Sequence, residues 1–124
     1  MDATRQAREA KKSELLRQLA ELKIEEMVEQ GVFLGTPHYS IIERYAITLG
    51  RELSREAQER AAREVAASGP TEANCPTCQA TCCVQTKTRS VTSLDGPVDL
   101  TETTARCDRC RRSFFPSARG DGTR

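Results

Sequence analysis

Apolar residues recur every three to four positions from Leu15 to Val28 and again from Ile42 to Leu53. From Val84 onward valines and threonines alternate instead with polar and charged residues. The first spacing predicts helices and the second predicts strands. From Thr4 to Gln30 the chain is dense in strong helix formers, and Gly31 follows in the position of a C-cap. Leu16, Ala20, Ile24 and Met27 or Val28 fall at helical spacing, with Leu15, Leu19 and Leu22 beside them. They make one broad apolar stripe. The turns before about Lys12 bring only alanines to it, so those turns are expected to fray. After a GVFLG connection, Thr36 with Pro37 suits an N-cap and first helical position, while Ser40 with Glu43 fits a capping box. The preferred start is Thr36. Ile42, Tyr45, Ala46, Leu49 and Leu53 form the second stripe, continued weakly by Ala57, Ala61 and Val65 until Ser68-Gly69-Pro70 stops the helix. Two amphipathic helices and a five-residue connection predict an antiparallel hairpin.

The texture changes after Pro70. TEANCPTCQATCC is small, polar and cysteine-rich, and VQTKTRSVTS and VDLTETTAR are rich in β-branched residues. Between them Asp95-Gly96 is a strong hairpin-turn signal. The expected order is knuckle, strand, turn, strand, knuckle, with Phe114 and Phe115 covering a small core. The fold class is therefore α+β: a helical hairpin over residues 1–70, then a small zinc-ribbon β-hairpin domain over 71–124 with a short disordered C-terminal tail.

Composition changes this picture in one respect. Only 37% of residues are hydrophobic and 4% aromatic, against 30% charged. That is too little apolar surface for one large core, so exposed helix flanks, a metal or a partner are expected. The net charge of +1 predicts no partner by itself. Its distribution is uneven: five arginines and a single acid, Asp108, lie between Arg106 and Arg119. No apolar run approaches the roughly 20 residues of a membrane helix, and MDATRQAREAKK lacks a hydrophobic signal core. The expected location is cytoplasmic, with no membrane partner. His38, the only histidine, sits at a helix start with no nucleophile nearby and is given no role.

Cytoplasmic cysteines read as thiols or metal ligands before disulfides. Cys75-Pro-Thr-Cys78 and Cys107-Asp-Arg-Cys110 are two CxxC pairs separated by 28 residues. Each can bend two sulfurs around one side of a tetrahedral ion, and the hairpin between them brings the pairs together. Four thiolates about 2.3 Å from zinc are the expected result. Structural disulfides, a thioredoxin-like redox motif and remnants that bind no metal remain as alternatives. Adjacent Cys82 and Cys83 cannot easily both ligate one tetrahedral ion. They read as bystanders packed under the knuckle, although either could substitute as a ligand or be the oxidisable thiol. Zinc knuckles often place Gly after the second Cys; here Gln79 and Arg111 stand there, which implies strain or a slightly different shape. Arg106, Arg109, Arg111 and Arg112 radiate from the second knuckle, where guanidinium groups could contact phosphate oxygens. A merely soluble surface is the competing reading.

The run from HYSIIERYAITLGRELSRE through CPTCQATCCV, TRSVTSLDGPVDLTETTARC and CDRCRRSFFP resembles the N-terminal region of ISKra-type insertion-sequence transposases. DGPV and CRRSFFP are its most specific parts, and it covers roughly residues 38–116. The resemblance implies helices, then a CxxC…CxxC ribbon whose zinc ligands match Cys75, Cys78, Cys107 and Cys110. In that family a large catalytic domain follows. Its acidic residues would lie beyond SARGDGTR, so no catalytic residue is carried over and the chain is expected to be a truncated, inert transposase-like protein. Three function classes result. The first is a zinc-ribbon module binding DNA weakly. The second is an interaction module, self-associating through the helical hairpin or regulating a full-length transposase. The third is a thiol redox sensor.

Overall fold

The structure, a computed structural model, describes residues 2–116. The expected disordered tail lies outside the described residues. Two helices, α1 (Asp2–Glu29) and α2 (Tyr39–Ala67), precede four strands: β1 (Glu72–Asn74), β2 (Thr81–Ser93), β3 (Gly96–Cys107) and β4 (Arg112–Phe114). The strands form one antiparallel sheet in the order β1-β2-β3-β4. The class is α+β, as expected. No helix among the described residues is long and apolar enough to cross a membrane. Proximity of Cα atoms divides the chain into two compact units, with the boundary between Gly50 and Arg51 inside α2.

In the first unit α1 ends where glycine permits it. Gly31 takes φ +76°, and the Val32 N–H bonds back to the Met27 carbonyl at 3.0 Å. Together with the 3.1 Å bond from Gly31 N–H to the Val28 carbonyl, this closes the helix with a Schellman motif. The second helix starts later than Thr36. His38 caps it: its Nδ1 accepts the Ser40 N–H at 3.2 Å, and its carbonyl takes the Ile41 N–H at 2.9 Å. An imidazole nitrogen thus does what a Ser or Asp oxygen usually does at an N-cap.

The apolar stripe of α1 is wider than its packing. Met27 is buried and Leu19 and Lys23 half-buried, and in the part of α2 before Arg51 the half-buried positions are Ile42, Tyr45 and Leu49. The Lys23 ammonium sits 5.8 Å from the Tyr45 ring centroid. Leu16, Ile24 and Val28, expected in the core, are exposed. One partner helix covers only one edge of so broad a face.

In the second unit the tip of the β2–β3 hairpin lies against α2 through polar groups. Ser54 Oγ donates to Asp95, Arg55 Nη1 donates to the Asp95 carbonyl at 2.8 Å, and Glu59 accepts the Asp99 N–H at 2.9 Å. The hairpin turn is where Asp-Gly signalled it, but shifted by one residue. Ser93 pairs with Gly96, so Leu94 and Asp95 are the central residues and Gly96 follows at φ +115°.

Candidate metal centre

Both knuckles are strand–turn–strand units. The first runs from β1 through Cys75-Pro-Thr-Cys78 into β2, and the second from β3 through Cys107-Asp-Arg-Cys110 into β4. In the first, Cys75 N–H bonds to the Ala80 carbonyl and Gln79 N–H to the Cys75 carbonyl, each at 2.9 Å. Gln79 and Arg111 both have positive φ, +66° and +55°. The backbone keeps the left-handed turn in which glycine is common, and a longer side chain bears its steric cost.

The register decides which side chains meet. Ala73, Cys82, Val84, Ala105, Cys107 and Phe114 fall on one face of the paired strands. Cys75, Cys82, Ala105 and Cys107 are its buried centre, with Cys78, Cys110 and Phe114 packed against them. Phe115 is exposed, contrary to expectation, because neighbouring residues of an extended chain point to opposite sides. It lines a hollow of about 330 Å³ with Ala62, Val65, Ala66 and Leu100.

The Sγ atoms of Cys75, Cys78, Cys107 and Cys110 all lie within 4.8 Å of one another. Cys75 and Cys110 are 3.7 Å apart, Cys78 and Cys107 3.5 Å. A regular tetrahedron with 2.3 Å arms has edges of about 3.8 Å. These distances fit the outline of a four-thiolate site and are far too long for disulfide bonds. All six cysteines are free.

Backbone donors bias two of these sulfurs toward thiolate. The N–H groups of Cys78 and Thr77 hold Cys75 down to about 6, and the Cys110 N–H lowers Cys107. The Thr77–Cys75 and Cys110–Cys107 N–H···S contacts are both 3.4 Å. Hydrogen bonding with Cys78 and Cys75 pushes Cys110 up to about 12. A bound cation would displace these shared protons. The CxxC spacing led to the expectation of four sulfurs with backbone N–H groups pointing at them; the structure identifies those groups as Thr77 and Cys78 on Cys75 and Cys110 on Cys107.

Cys82 is buried in the same cluster, its Sγ 3.4 Å from the Ala80 carbonyl, and burial raises its pKa. It lies outside the four-sulfur group. Cys83 is exposed, not packed under the knuckle, because the next residue of a strand faces the other way.

The four arginines are exposed but do not form one surface. Cys107 pairs with Arg112 and Arg106 with Ser113, so Arg106 and Arg112 point to opposite faces. Arg106 and Arg109 border a groove of about 650 Å³ with Cys83, Gln85, Thr104 and Ser113. Arg111 and Arg112 do not line that groove. Arg106 lies 4.0 Å from Asp108; Arg109, Arg111 and Arg112 make no ion pair among the described residues.

The chain matches no protein-family description, no curated protein and no solved structure.

Proposed function

We propose that the chain is a zinc-ribbon DNA-binding module without catalytic activity, of the kind its sequence resembles in ISKra-type transposases. The observation that carries the metal assignment is the convergence of four cysteine sulfurs within 4.8 Å. An all-thiolate tetrahedral donor set suits zinc, whose structural sites are closed by four protein ligands. Zinc would replace weak S–H···S contacts with metal–sulfur bonds and fix both knuckles to one point. Free thiols in such a site fit the reducing conditions of the cytoplasm.

The DNA assignment rests on the exposed guanidinium groups of Arg109, Arg111 and Arg112, carried on a turn and a short strand. Their division between two faces supports few simultaneous phosphate contacts, hence weak binding. The inert character is proposed from the resemblance alone, whose matched residues, roughly 38–116, are helix and cysteine-ribbon residues.

Metal analysis of the reduced protein should give one zinc per chain, lost when Cys75, Cys78, Cys107 and Cys110 become serine. Visible thiolate-to-iron absorption in place of zinc would overturn the metal assignment. With two to four phosphates neutralised, log K for duplex DNA should fall by roughly 2–4 per decade of salt. Replacing Arg109, Arg111 and Arg112 with alanine should flatten that slope and leave zinc bound. Unchanged binding would refute the DNA assignment.

A further inference from the structure

The first unit buries too little to stand alone. Among its described residues only Met27 is buried, while ten large apolar side chains between Leu15 and Ile47 are exposed. Monomers rarely leave contiguous apolar patches beyond a few hundred Å². In α1, every residue from Ala3 to Gln18 is exposed.

The charges of α1 point to what covers it. Residues 2–12 carry four bases and two acids, a net of +2, and residues 13–29 carry two bases and five acids, a net of −3. A helix dipole favours the reverse order, acids first and bases last. The last turn holds no base.

One seam of α1 makes the order intelligible. Arg8, Lys11, Leu15, Gln18, Leu22, Glu25 and Glu29 follow one another at alternating spacings of three and four, so they share a helix face. Leu15 is 48% exposed and Leu22 57%. Arg8, Lys11, Glu25 and Glu29 make no ion pair among the described residues, whereas Glu14, Arg17 and Glu21 are paired within the helix. Read backwards, the seam is complementary to itself: base meets acid, leucine meets leucine, and glutamine meets glutamine. A two-fold interface requires that property, because the same patch must face itself.

We propose that α1 pairs antiparallel with α1 of a second copy, about Gln18, so that Leu15 meets Leu22 and Arg8 and Lys11 meet Glu29 and Glu25. The pairing covers a face of α1 that α2 leaves open. It uses residues of α1 alone and stands whether or not the cysteines hold zinc. A parallel pairing would set like charges side by side at both ends.

Sedimentation equilibrium of the reduced full chain, with loading up to about 100 µM, measures the mass as concentration rises. The mass should climb from 13.8 kDa toward twice that value and fall back as salt is added. Arg8→Glu with Lys11→Glu should raise the dimer dissociation constant at least about tenfold. Adding Glu25→Lys and Glu29→Lys to the same chain should restore it, which no loss of folding could mimic. Leu22→Lys, at an already exposed position, should give a monomer with unchanged helical circular dichroism. A constant mass of 13.8 kDa at every concentration would overturn the pairing. So would a dimer indifferent to the charge reversals, which would place the second copy, or another partner, on the row of Leu16, Ile24 and Val28.

Discussion

At the scale of single residues, the chemistry of the candidate centre was legible because ligand geometry constrains sequence tightly. Two CxxC pairs leave few other readings, and the four sulfurs named from spacing are the four that converge within 4.8 Å. The positions after each pair were legible too, but not their conformation. Gln79 and Arg111 occupy the left-handed region at φ +66° and +55°, so the knuckle imposes its backbone on whatever residue stands there. Left-handed backbone costs an ordinary residue about 1–2 kcal/mol. Glycine escapes that but loses roughly 0.4–1 kcal/mol through the greater freedom of its unfolded chain. Gln79→Gly and Arg111→Gly should therefore each stabilise the metal-loaded sheet by about 0.5–1 kcal/mol. Denaturant unfolding followed by near-ultraviolet thiolate absorption checks this, and a loss of stability in both variants would mean the side chains hold contacts that outweigh the strain. His38 was not legible. Its capping role depends on a helix start two residues later than the Thr36–Pro37 signal suggested.

At the scale of elements, long periodic segments were legible and short or polar ones were not. Both helices and both long strands follow from spacing, since a stripe or an alternation repeated over many residues has few alternative explanations. β1 and β4 have three residues each, too few for a period, and they exist because each knuckle folds the chain back onto β2 or β3. Nor could apolar patterning announce the contact between α2 and the hairpin tip, because Ser54, Arg55 and Glu59 make it with hydrogen bonds. Those bonds carry a prediction. The Asp99 N–H loses its partner if Glu59 is truncated, and the Asp95 carbonyl loses its guanidinium if Arg55 is. Each such hydrogen bond contributes about 0.5–1.5 kcal/mol. Arg55→Ala with Glu59→Ala should thus lower the stability of the second unit by about 1–3 kcal/mol without loss of metal. Faster amide exchange at Asp99 would localise the effect. Unchanged exchange there would mean that the turn holds its shape without the helix.

At the scale of the whole molecule, the scarcity of apolar residues sets how the two units depend on outside help. The second unit has a small core built largely from cysteines, so with the proposed zinc bound its stability should be dominated by that ion. Apparent binding free energies of structural zinc, on the order of 10–16 kcal/mol, exceed what so few apolar contacts supply. Chelation should therefore unfold the sheet. The polar contacts of Ser54, Arg55 and Glu59 add a consequence that separate modules would not have. Once the hairpin tip is lost, the part of α2 beyond Gly50 keeps only alanines and isolated apolar residues, and it should open too. Leu19, Lys23 and Met27, with Ile42, Tyr45 and Leu49, lie in the first unit and do not depend on the ion. Hydrogen exchange before and after chelator should show protection lost across residues 72–114 and 54–66, with residues 19–29 and 42–49 changed least. Circular dichroism should lose its strand contribution and only part of its helical signal. Retained protection at 54–66 would show that α2 is a self-sufficient strut. Loss everywhere at once would mean that one cooperative fold spans both units, with the metal holding the helices as well as the sheet.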